Sequence, residues 1–118
     1  MTYNQEAKLI LEMTDIIQTL CPYDTGNLQS SIKYDYLGNG VWKIYVNCGD
    51  DPYLKVGKNS RGIAPYMPFT NEKWLSDRWK DKNGNMRKNP NEGWWNDACE
   101  RAIEYARIKL NGEVYARN

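Results

Sequence analysis

Ile32-Lys33-Tyr34-Asp35-Tyr36-Leu37-Gly38-Asn39-Gly40-Val41-Trp42-Lys43-Ile44-Tyr45-Val46-Asn47-Cys48 reads as two strands folded back on a tight turn. Side chains alternate between the faces of a strand, and the residues obey that period of two: Ile32, Tyr34 and Tyr36 fall on one face, Lys33 and Asp35 on the other. On the return strand Trp42, Ile44, Val46 and Cys48 share one face, and Val41, Lys43 and Tyr45 the other. Gly38-Asn39-Gly40 supplies residues that tolerate the positive φ of a hairpin turn.

Upstream of this hairpin the period changes. From Tyr3 to Leu20 the apolar residues recur at helical spacing, with Tyr3, Ala7, Ile10, Leu11, Ile17 and Cys21 on one stripe and Leu9, Met13, Ile16 and Leu20 on a second beside it. A helix apolar over so much of its circumference is either sandwiched within its domain or shared with a neighbouring subunit, and the small size of the chain favours the neighbour. Pro22 ends the helix, because a residue ahead of proline is pushed out of helical backbone. In Asp24-Thr25-Gly26-Asn27-Leu28-Gln29-Ser30-Ser31-Ile32, Asp24 or Thr25 can cap a short helical turn, Gly26 lets the chain turn tightly, and Leu28 and Ile32 anchor the turn on the core. For Ser30 and Ser31, with no base nearby in the sequence, a capping and packing role outweighs that of a nucleophile.

Downstream, Gly49-Asp50-Asp51-Pro52 is a further turn, Tyr53–Val56 a short third strand and 57–68 an irregular loop. Asn71 is positioned to cap a short helix through Trp79. Lys80 to Glu92 is polar apart from Met86 and reads as a solvated insertion. A last helix spans about Glu92 to Leu110, burying Trp95, Ala98, Cys99, Ala102, Ala106 and Leu110 and stopping near Gly112. The expected fold is α+β: an N-terminal helix, a short helical turn, a small antiparallel meander, and a C-terminal helix packed on one face. Residues 1–118 form one expected domain, with a polar insertion at about 80–92.

Composition removes most chemistry. The chain has no histidine, so the commonest general base and transition-metal ligand is missing, and Ser-His and Cys-His pairs are excluded. Asp50 and Asp51, Asp77 and Asp81, and Glu100 and Glu104 follow no known ligand pattern, and the last pair reads as a salt-bridged helix surface beside Arg101 and Arg107. The glycines at 57 and 62 bracket Lys58-Asn59-Ser60-Arg61, but this loop lacks the Gly-Lys-Ser/Thr ending of a phosphate loop and runs into Ala64-Pro65. Sixteen Lys and Arg against fifteen Asp and Glu leave no net field to attract nucleic acid, and Lys80, Lys82, Arg87 and Lys88 make at most a weak basic patch. Three cysteines, Cys21, Cys48 and Cys99, without CxxC spacing read as reduced, small apolar residues. No apolar run approaches the roughly 20 residues of a membrane span. The expectation is therefore a non-enzymatic protein made in the cytoplasm, without catalytic residues, cofactor, metal, membrane partner or specific nucleic acid.

Five Trp and nine Tyr against one Phe point instead to contact surfaces, where rings with a polar handle are enriched. Pro22-Tyr23-Asp24-Thr25-Gly26-Asn27-Leu28-Gln29-Ser30-Ser31-Ile32 resembles the P-x-D-T-G-x-L-x-x-S-I stretch of tailed-phage minor capsid and tail completion proteins. The order beyond it is similar too: a hairpin, Pro52-Tyr53, a glycine-bearing loop through Gly57 and Gly62, then Asn89-Pro90 ahead of Trp94-Trp95 and Ala98. Leu54 stands where that family carries a small residue, and residues 66–89 make a longer insertion. The resemblance implies a virion protein of the neck, made in the bacterial cytoplasm and packed as copies of itself in a ring between the portal or connector and the tail tube. Its motif residues here are Asp24, Thr25, Gly26, Leu28, Ser31 and Ile32. The stretch from Gly57 to Pro90 is the expected contact region, with Tyr66, Phe69 and Met86 as anchors. The competing reading is a small binding module for carbohydrate or single-stranded nucleic acid, with Trp42, Trp74 and Trp79 as stacking platforms.

Overall fold

The computed structural model describes residues 1–22, 26–49, 64, 67–72 and 80–116, with the side chains of 68, 69 and 112–116 outside the description. In chain order the elements are α1 (Tyr3–Leu20), α2 (Asn27–Ser30), β1 (Ile32–Gly38), β2 (Val41–Val46), α3 (Met67–Thr70) and α4 (Trp94–Ala116). The fold is α+β, with an N-terminal helix, a two-stranded antiparallel sheet and a C-terminal helix. The third strand expected at 53–56 lies outside the described residues.

α1 begins on a capping box: Thr2 accepts the amide of Gln5, and the Gln5 side chain accepts the amide of Thr2, which satisfies two otherwise orphaned donors. It ends at Cys21, where the backbone turns extended ahead of Pro22. α1 packs against α4 and also against β1, β2 and α2. The expectation of a face shared with a neighbouring subunit is thus corrected in part: α1 is sandwiched within its own chain, although Leu11 remains exposed. Thr14, which the apolar pattern passes over, is buried because its hydroxyl donates to the Ile10 carbonyl one turn back at 2.7 Å.

The hairpin register pairs Ile32 with Val46, Tyr34 with Ile44 and Tyr36 with Trp42, placing the expected residues on a common face. Gly38, Asn39 and Gly40 all carry positive φ, at 92°, 53° and 76°, as the turn requires. A register shift between Tyr36 and Gly38 leaves Leu37 as an extra, exposed residue. The core gathers Ile17 and Cys21 of the first helical segment, Leu28, Ile32, Ala64, and Trp94, Ala98 and Ala102 of α4.

Three boundaries differ from expectation. Within the span read as irregular loop and its edge, Met67–Thr70 forms one helical turn, closed by the Thr70 hydroxyl donating to the Met67 carbonyl at 2.6 Å. Asn71 does not serve a helix of its own among the described residues; its side-chain oxygen accepts the amide of Trp95, and its carbonyl accepts Gly93, so it caps the start of α4. The rest of the helix expected through Trp79 lies outside the description. α4 runs through Gly112 to Ala116, because a glycine ends a helix only where the chain takes up positive φ, and Gly112 does not.

Candidate interaction surface

The motif stretch is built around Gly26, whose φ of 81° puts it in the left-handed region immediately before α2. Gly26 itself occupies the cap position, with no side-chain cap bond, in place of the expected Asp24 or Thr25, both of which lie outside the described residues. Leu28 and Ile32 are buried in the core. Ser31 is fully buried: its hydroxyl donates to the Asn27 carbonyl at 2.6 Å, and its own carbonyl accepts the Asn47 amide at 2.8 Å. The Asn47 carbonyl in turn accepts Ala64 at 2.8 Å, so the buried serine ties α2, the end of β2 and residue 64 together. These contacts give Gly26, Leu28, Ser31 and Ile32 a place at one junction of the fold.

At the opposite end of the hairpin three rings meet. Tyr36 and Trp42 are cross-strand neighbours 4.8 Å apart, and Tyr3 from the first turn of α1 lies 5.1 Å from Tyr36 and 5.4 Å from Trp42. The Trp42 indole donates to Glu6 at 3.0 Å, and the Tyr36 hydroxyl accepts the Gly40 amide at 3.2 Å. Both bonds use the polar end of the ring and leave apolar surface outward. Met1, Tyr3, Tyr36, Leu37 and Val41 are all exposed, from 43 % for Tyr36 to 61 % for Leu37. Contiguous exposed apolar side chains of this kind are a common mark of interaction sites. In the sequence Tyr3 falls on a helix stripe, and Tyr36 and Trp42 fall on strand faces. The cross-strand pairing was readable from the register; the arrival of Tyr3 was not.

A second polar group joins the helices. Lys109 of α4 pairs with Glu12 of α1 at 2.7 Å, and the Tyr105 hydroxyl also donates to Glu12. The span read as a solvated insertion is ordered at both its ends. Asp81 accepts the amides of Asn83 and Asn85, each at 2.9 Å, and its own amide donates to the Asn85 carbonyl. The amides of Asn85 and Asn83, with the Asn85 side chain and the Arg87 charge, hold the Asp81 carboxyl below its ordinary value against a smaller opposing effect of burial. Asn89, expected to be solvated, is buried because it has work for each polar atom: its amide donates to the carbonyls of Thr70 and Glu72 at 2.8 and 2.7 Å, and its oxygen accepts Asn91. The Trp94 indole donates to Thr70 at 2.9 Å, closing the clasp between residues 67–72 and the start of α4.

Met86 is exposed on the insertion, whereas Tyr66, the Phe69 side chain, Trp74 and Trp79 lie outside the described residues. The Gly57–Gly62 loop and Asp50, Asp51 and Asp77 lie outside them as well. Glu104 pairs with Arg107 at 2.8 Å on the exposed face of α4, as expected. All three cysteines are unpaired, with Cys21 buried and its thiol pushed up to about 11 by that burial. Among the described residues no group of His, Cys, Asp and Glu could hold a metal ion, and no helix is long and apolar enough to cross a membrane. No family model, curated protein or solved structure matches the chain.

Proposed function

We propose that this protein is a structural component of a tailed bacteriophage particle, joining head to tail at the neck through contacts with the portal or connector, the tail tube and copies of itself in a ring, without enzymatic activity. The observation that carries the reading is the Pro22–Ile32 stretch, whose sequence resembles that of minor capsid and tail completion proteins. The geometry of its described part is compatible with such a motif being kept for folding: Gly26 needs its positive φ, Ser31 is buried and bonded, and Leu28 and Ile32 lie in the core. The exposed rings and aliphatic groups at the hairpin tip supply the sort of anchor a contact protein uses, since a few aromatic side chains tend to dominate an interface. Against the alternative of a stacking platform for sugars or bases, Trp42 already lies against Tyr3 and Tyr36 and uses its indole N–H on Glu6.

The test is complementation of a phage lacking this gene. Wild-type protein restores joined particles and is found at the neck by immunogold labelling. A Tyr3→Ser, Leu37→Ser, Val41→Thr variant that keeps its melting temperature leaves separate heads and tails. Normal particles from the gene-deleted phage without any complementing protein would refute the assignment.

A further inference from the structure

The outer flank of α4 carries Cys99, Ile103, Ala106 and Leu110 at spacings of four, three and four, the rhythm with which one helix presents a seam to another. This seam lies beside the buried face made by Trp94, Ala98 and Ala102, and its own residues are incompletely covered: Ile103 is 52 % and Leu110 37 % exposed, and Cys99 and Ala106 are half-buried. Among the described residues the polar bonds between α1 and α4 run through Tyr105 and Lys109, and Leu110 lines a cleft of about 210 Å³ together with Met1, Gln5, Lys8, Leu9 and Glu12, which leaves it partly open. Along the outer edge of the seam stand Glu100 and Arg107, both exposed, seven residues apart and of opposite charge.

That charge order identifies an occupant. Two identical seams laid antiparallel about a two-fold axis between Ile103 and Ala106 set Ile103 against the partner's Ala106 and Cys99 against the partner's Leu110. The same operation brings Glu100 beside the partner's Arg107, and Arg107 beside the partner's Glu100. Among the described residues Arg107 pairs with Glu104 of its own helix, and both side chains of that pair are more than half exposed, so the surface bond yields readily. We propose that α4 pairs antiparallel with α4 of a second copy of this chain along Cys99, Ile103, Ala106 and Leu110, with two reciprocal Glu100–Arg107 ion pairs. The seam spans under two heptads, which puts the contact among weak, reversible ones. An isologous two-fold contact differs from the heterologous contacts that close a ring, so the pairing stands independently of the head-to-tail role.

Analytical ultracentrifugation of the full chain, carried up to roughly 1 mM, tests it. The wild-type protein shifts with concentration from 13.8 kDa to twice that mass. I103D removes the shift, and E100R or R107E alone raises the dissociation midpoint about tenfold or more, since each sets like charges together. An equimolar mixture of E100R with R107E, and the E100R/R107E double variant, recover the wild-type midpoint, because each restores opposite charges across the two-fold. Circular dichroism of every variant should stay unchanged, as all three positions are exposed. A wild-type monomer across the range, a dimer indifferent to I103D, or charge reversals that the mixture does not rescue would each overturn the pairing. So would assembly larger than a dimer that none of these substitutions moves.

Discussion

At Gly26 the backbone stands at φ 81°, a conformation that costs an L-residue with a Cβ about 1–2 kcal/mol and a β-branched one more. Gly26→Val should therefore lower the melting temperature although it removes no side-chain contact, and Leu28→Ala, at a buried position, should cost about 2–4 kcal/mol in urea unfolding. If both melt like the wild type, the motif has no structural role. The cysteines make a separate expectation. Burial raises the thiols of Cys21 and Cys99, with Cys21 at about 11, so at pH 8 on the order of 0.1 % of Cys21 is the reactive thiolate. Iodoacetamide on the native protein should modify Cys48 before Cys21, whereas denaturant should expose three sites of labelling by mass spectrometry. Uptake of only one label by freshly prepared, denatured protein, with the other two thiols held in a disulfide, would contradict the unpaired state.

Single side chains that look alike in the sequence acquire different duties once the elements meet. Asn71 caps α4 from more than 20 residues away, and Asn89 holds two carbonyls of residues 70–72, although both stand in polar surroundings in the sequence. Asn89→Ala should leave the Thr70 and Glu72 carbonyls and the Asn91 amide without it and cost about 1–3 kcal/mol, whereas a substitution at the neighbouring, exposed Lys88 should cost little. The Asp81 turn gives a pH-dependent element. Its carboxyl in the folded chain titrates below the ordinary 3.8, so its stabilising effect is complete above that value and is lost as the pH falls through the lower, folded value. Amide resonances of Asn83 and Asn85 should hold their shifts from neutral pH down to about 4 and move together below it. Movement beginning well above that range would mean that Asp81 does not organise the turn.

The described part of the chain is elongated, 63 × 27 × 20 Å along its principal axes, with α1 and α4 side by side and the hairpin tip left outward. Glu12, shared by Lys109 and Tyr105, makes a polar link between the two long helices, and Glu12→Ala should lower stability by about 1–2 kcal/mol, with Tyr105→Phe costing less because the lysine pair survives. Double substitution with Lys109→Ala should be less than additive if the three act as one group. Several features follow from local rules alone and were legible in the residues: the alternation of Ile32–Val46, the positive-φ turn at Gly38–Gly40, the helix that Pro22 ends, and the absence of histidine chemistry. Each depends on neighbours along the chain, where backbone geometry dictates the outcome. Tertiary structure alone decided that Tyr3 joins Tyr36 and Trp42, that Thr14 and Asn89 are buried, that Asn71 serves α4, and that Gly112 stays helical. A polar residue goes inside only where distant donors and acceptors converge on it, and a ring finds its partners only when two elements pack. Neither condition is written in the spacing of residues along one segment.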